Sequence, residues 1–156
     1  MRNKIDMVLG NVLAFIMALM VINVLWQVIS RYLLGSPSIF TDELATFMLI
    51  WVGLLGAAYA TGQGKHLAID ILPNKLDDKS RAKLNMFIYL IMVSFALLIM
   101  VVGGSRLVYL TLSLEQLSAT LRIPLGYIYL ALPISGLLIM YYAIDNLLTQ
   151  LKNGDH

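Results

Sequence analysis

Apolar residues occupy four long stretches of this chain, and charged residues are confined to the gaps between them. Positions 7–30, 44–64, 84–105 and 123–144 contain no Asp, Glu, Lys or Arg, giving runs of 24, 21, 22 and 22 residues. A helix rising about 1.5 Å per residue needs roughly 20 mostly apolar residues to cross a ~30 Å hydrocarbon core. The pattern predicts an all-α integral membrane protein with four transmembrane helices, over about 5–34, 42–63, 82–112 and 124–150. These spans use nearly all of the 156 residues, so a single four-helix membrane domain over 1–156 is expected.

Local signals refine the boundaries. A short loop containing Pro37 makes helices 1 and 2 an antiparallel hairpin. Ser38 and Thr41 are turn and cap residues, and Asp42 and Glu43 fall in the first turn of helix 2. Acids there complement the positive end of the helix dipole. A salt link to Arg31 or a docking role on the outer face are the other readings of this pair. Helix 3 is expected to begin near Ser80 and to reach about Glu115, longer than the core, with Gly103-Gly104 allowing close contact or a bend. Pro124 suits the start of helix 4, and Pro133 predicts a kink inside it. Tyr127, Tyr129, Tyr141 and Tyr142 fall towards the helix ends, as interfacial aromatics do. Leu67, Ile69, Ile71 and Leu72 predict an apolar segment lying on the inner surface.

Within the spans, small and polar residues recur at helical spacing. Gly10, Ala14 and Ala18 repeat every four residues in helix 1. Gly53, Gly56, Ala57, Ala60 and Gly64 form two adjacent rows on helix 2, with Trp51 at mid-span. In lipid there is little hydrophobic drive between helices, so close approach over small residues carries association. Spacing alone leaves open whether the partner helix lies in this chain or in another subunit. Asn23, Gln27 and Arg31 form a polar stripe whose amides need partners, again inside the chain or on a second subunit.

Composition agrees with the pattern: 60% of residues are hydrophobic and 13% charged, against about half and a quarter in soluble domains. Eight Lys and Arg residues lie at the amino terminus, in the middle loop and in the tail. Only Arg31, Arg106 and Arg122 lie on the opposite side. The positive-inside rule then predicts that both termini are cytoplasmic. A net charge of +2 gives no reason to expect a nucleic-acid partner.

Candidate chemistry is sparse. The absence of Cys excludes disulfides and thiol catalysis, and none of the four charge-free runs holds an acid, base or histidine at depth. An axially ligated haem inside the bundle is therefore not expected, nor is a proton-coupling carboxylate. His66 and Asp70 could face each other on a helical piece, but one pair without further ligands is thin support for a metal. No catalytic, cofactor or metal site is expected. What remains is the profile of an accessory membrane subunit.

The stretch from Arg31 to Asp70 also resembles the small membrane subunit of tripartite ATP-independent periplasmic (TRAP) transporters, the DctQ-like family. The resemblance rests on Arg31-Tyr32, Phe40-Thr41-Asp42-Glu43, Trp51, Leu55-Gly56-Ala57-Ala58 and Gly64-Lys65-His66 through Asp70. Ile123-Pro124-Leu125-Gly126-Tyr127, with Pro133 downstream, extends it. Phe40 and Asp42 depart from the family's usual Trp and Glu while keeping their chemical type. The resemblance implies a non-catalytic small subunit of a bacterial inner-membrane, sodium-coupled importer of an organic acid, of the C4-dicarboxylate or sialic acid class. It would be a scaffold for the large transport subunit and would help dock the periplasmic binding protein. Arg31, Asp42, Glu43, Trp51, Gly53, Gly56, Ala57 and Ala60 are the expected partner contacts. His66, Asp70 and Pro124 belong to the family pattern without an assigned role. Two other readings stay open: an autonomous oligomeric transporter with Asn23, Gln27 and Arg31 along a pathway, and a membrane anchor of an enzyme complex.

Overall fold

A computed structural model describes residues 2–35, 38–63 and 78–153. The elements are α1 (Arg2–Tyr32), α2 (Ile39–Gly62), α3 (Asp78–Phe95), a π-helical segment (Ala96–Gly103), α4 (Gly104–Ser113), α5 (Leu125–Tyr129) and α6 (Ala131–Asn153). Four helical stretches are long and apolar enough to cross a membrane: Arg2–Tyr32, Ile39–Gly62, Leu84–Ser113 and Leu125–Thr149. The third runs from α3 through the π segment into α4. The expected all-α, four-span architecture is thus present.

Two packed layers hold the spans together. Leu9 and Leu13 of α1, Leu55 of α2 and Tyr142 of α6 form one buried cluster, with Trp51 and Tyr59 half-buried against it. Ala58 of α2, Ala96 and Met100 of the π segment and Ile139 of α6 form the other. α6 is therefore the hub, touching α2, α3 and the π segment, whereas α1 rests mainly on α2. Tyr142 is fully buried, which corrects its reading as an interfacial aromatic; Tyr127 is exposed.

The break in the fourth span falls at Leu130, between α5 and α6, one turn before Pro133. Proline at position 133 cannot donate to the Tyr129 carbonyl, and its ring crowds that carbonyl, so the helix yields on the preceding turn. Leu130 and Ile134 keep their bonds to the carbonyls of Gly126 and Leu130, at 3.1 and 3.2 Å. The paired glycines behave differently from each other. A Cβ on Gly104 would stand 3.0 Å from Leu132 Cβ and 3.1 Å from Pro133 Cδ, whereas one on Gly103 would meet only the Leu98 carbonyl of its own helix at 3.7 Å. Close contact is the role of Gly104 alone.

The loop between α4 and α5 is folded, not a free apolar connection. Leu117 and Pro124 form an antiparallel bridge, Ser118 N–H donates to the Ile123 carbonyl (2.9 Å), and Leu125 N–H donates to the Gln116 carbonyl (2.9 Å). Glu115, just after α4, and Arg122, inside the hairpin, take positive φ of 48° and 52°. Pro124 directly precedes α5, at its amino-terminal cap position.

Candidate partner-binding surfaces

Helix α2 carries most of the expected contacts, and its two sides differ. Leu55, Ala58, Thr61 and Gly62 are buried against α1 and α6. Gly53 and Ala57 are exposed, and Gly56 and Ala60 are half-buried. At about 100° per residue these four cluster on the side of the helix turned away from Leu55 and Gly62. A Cβ added to Gly53 or Gly56 would meet nothing within 4 Å. Their small size is therefore not used by any described residue. Gly62, which spacing did not single out, is the glycine that packs internally: a Cβ there would lie 2.7 Å from the Tyr142 ring. Gly136 does the same on α6, 2.7 Å from Met100 Cβ. On α1, Gly10 sits in ordinary contact with Tyr59, while Ala14 and Ala18 are exposed.

At the loop end of the bundle, the polar stripe of α1 meets α2. Asn23 Nδ2 donates to the Thr41 carbonyl (2.7 Å), and Gln27 Nε2 donates to Asp42 Oδ1 (2.8 Å). Both amides thus bind the helical hairpin itself. Arg31 is exposed and has no carboxylate partner among the described residues, so the salt link to Asp42 or Glu43 is absent there. With Gln27, Ser38, Ile39 and Asp42 it lines a shallow pocket of about 230 Å³. Glu43 turns towards the α4–α5 hairpin, where its Oε2 accepts the backbone N–H groups of Leu121 and Thr120. Ser38 caps α2 by position, without a side-chain hydrogen bond.

The other end of the bundle holds a polar cluster that the sequence reading missed. Arg2 Nη1 pairs with Asp145 Oδ2 at 2.6 Å, and Arg2 Nη2 donates to the Gly62 carbonyl. Asn146 Nδ2 donates to the Thr61 carbonyl (3.1 Å), and the Tyr142 hydroxyl donates to Asp6 Oδ1. The last carbonyls of a helix have no partner of their own and carry its negative dipole end. Here the guanidinium and an amide from opposite ends of the chain satisfy those of α2. Arg2 and Asp6 are four residues apart, hence on one face of α1, and that spacing was the available signal. Arg106 is exposed on α4 and makes no ion pair among the described residues. His66, Asp70, Gly64, Pro37 and the apolar loop segment from Leu67 lie outside the described residues, as does any bearing they have on function. No group of three or more His, Cys, Asp or Glu side chains that could hold a metal occurs among the described residues.

A bundle of four spans with a row of small residues turned away from its core leaves its class to comparison. The family model described as "Tripartite ATP-independent periplasmic transporters, DctQ component" matches residues 20–153. This chain belongs to the DctQ family. A Haemophilus influenzae relative named for the small permease protein of a TRAP transporter is 31% identical over 134 residues, covering 86% of this chain and 81% of the relative. The C4-dicarboxylate TRAP transporter small permease protein DctQ of Rhodobacter capsulatus is 30% identical, over 69% of this chain and 47% of that protein. The sialic acid TRAP transporter permease protein SiaT of Haemophilus influenzae is 29% identical over 82% of this chain, a match that spans 20% of the larger protein. The DctQ-family chain is thus a multi-pass membrane protein and a small permease subunit of the TRAP type.

Proposed function

We propose that this DctQ-family chain is the fixed, non-catalytic partner of a large TRAP permease subunit in a bacterial inner membrane. It supports sodium-coupled uptake of an organic acid, and C4-dicarboxylate, sialic acid and ectoine systems are named among its relatives. The observation that carries the reading is the exposed to half-buried row Gly53, Gly56, Ala57 and Ala60, where a Cβ on either glycine would meet no described residue within 4 Å. A helix of the large subunit laid along that row would gain the close backbone approach that membrane helices use to associate. Both termini lie on the cytoplasmic side, consistent with the excess of Lys and Arg there. The exposed Arg31 and the hairpin held by Glu43 then face the periplasm, where the substrate-binding protein docks.

Rigidity supports the same reading. Asn23 and Gln27 of α1 are spent on the start of α2, and the end of α2 is tied to both α1 and α6. A bundle closed in this way suits a part that stays still beside a moving one. Reconstitution tests it. Vesicles containing the large subunit, with binding protein and an imposed sodium gradient, take up the organic acid only when this chain is included. Equal uptake without it would overturn the proposal.

A further inference from the structure

Between α1 and α6, floored by Leu55 of α2, runs an open groove of about 390 Å³. Its walls are Val8 and Val12 on one side and Ile134 and Leu138 on the other, and Lys4 at its end is the one charged residue lining it among the described residues. The groove lies on the core side of α2, away from the Gly53–Ala60 row. From Lys4 to Val12 a helix rises about 12 Å, close to half of a ~30 Å hydrocarbon core. The groove is thus one leaflet deep, aliphatic along its length, and cationic where that leaflet meets water.

The neighbouring charges sharpen this. Arg2 and Asp6 share one face of α1, where Arg2 is engaged by Asp145 and the Gly62 carbonyl and Asp6 by Tyr142. Lys4, midway between them in sequence, projects on a different face, is exposed, and has no carboxylate partner among the described residues. A flexible ammonium at the rim of an apolar trough complements a phosphate at the head of a hydrocarbon chain.

We propose that this groove seats one acyl chain of an anionic phospholipid from the leaflet on the Lys4 side, with the lipid phosphate on the Lys4 ammonium. The bound chain fills the gap left because α1 rests mainly on α2, and so braces α1 against α6. The site does not depend on which solute the transporter carries.

Native mass spectrometry of the full chain, purified in mild detergent and titrated with phosphatidylglycerol or phosphatidylethanolamine, tests the proposal. Wild type should retain one phosphatidylglycerol about fivefold more tightly than phosphatidylethanolamine, the preference one Lys near a headgroup confers. Lys4→Gln should bring the two lipids level. Val8→Trp, at an exposed position where the indole can occupy the trough, should reduce retention of both. A helical circular-dichroism spectrum and unchanged melting of each variant establish that it has folded. Equal retention of the two lipids by wild type, or retention unaltered by either substitution, would overturn the assignment. So would loss of a co-purifying protein subunit in Val8→Trp with lipid retention intact, which would give the groove to a protein helix.

Discussion

Glu43 Oε2 stands 2.7 Å from the backbone nitrogen of Leu121, and it also accepts the Thr120 N–H at 3.0 Å. One carboxylate at the start of α2 therefore holds the tip of a hairpin 77 and 78 residues further along the chain. Hydrogen bonds to a charged acceptor contribute roughly 1.5–3 kcal/mol, less where water can replace the carboxylate. Glu43→Ala is expected to speed amide exchange at Thr120 and Leu121 while leaving exchange in the α2 core unchanged. Hydrogen exchange followed by mass spectrometry reads both segments in one experiment. Unaltered exchange in the hairpin would mean that its own bridge and turn bonds suffice.

The glycines fall into two classes, and substitution should separate them. Gly62→Ala and Gly136→Ala push a methyl against the Tyr142 ring and Met100, at sites with no room to give. Overpacking of this kind costs about 1–3 kcal/mol. Both variants should melt earlier in detergent. Gly56→Leu meets no described residue within 4 Å at its Cβ, so the isolated protein should melt as wild type does. Its defect should instead be weakened co-purification of the large subunit. A lowered melting point for Gly56→Leu alone would place that face inside the fold.

At the opposite end, Arg2 serves two acceptors, the Asp145 carboxylate and the Gly62 carbonyl. The ion pair by itself is partly exposed and contributes on the order of 1 kcal/mol or less. The bond to the end of α2 adds the dipole interaction, about 0.3–1 kcal/mol. Arg2→Gln is therefore expected to destabilise more than Asp145→Asn. Exchanging the two residues, Arg2→Asp with Asp145→Arg, should not restore wild-type melting, because the Gly62 carbonyl loses its donor from α1. Full rescue by the exchange would reduce the contact to a simple pair of charges.

The four spans were legible because lipid tolerates no stray charge, so the charge-free runs mark them directly. An interruption of the last span was legible in kind, since Pro133 must break a helix bond, but it falls one turn earlier, at Leu130. The small-residue rows could be read, but not their direction. Gly56 and Gly62 look alike in sequence, and only the position of Tyr142, 80 residues beyond Gly62, separates them. Arg31 and Glu43 invited each other as partners by proximity along the hairpin. Glu43 instead turns to a distant backbone. The Arg2–Asp145 contact, 143 residues apart, carried no local signal beyond Arg2 and Asp6 sharing a face.

The outward row of α2 is the proposed seat of the large subunit. The chain has no cysteine, so Ala57→Cys introduces a single thiol at an exposed point of that row. Labelled with a photoactivatable thiol reagent in native membranes and irradiated, the Ala57→Cys variant should capture the large subunit in one dominant adduct. Leu98→Cys, on the exposed face of the π segment, should yield lipid adducts only. Capture of the large subunit from position 98 and not from position 57 would contradict the claim.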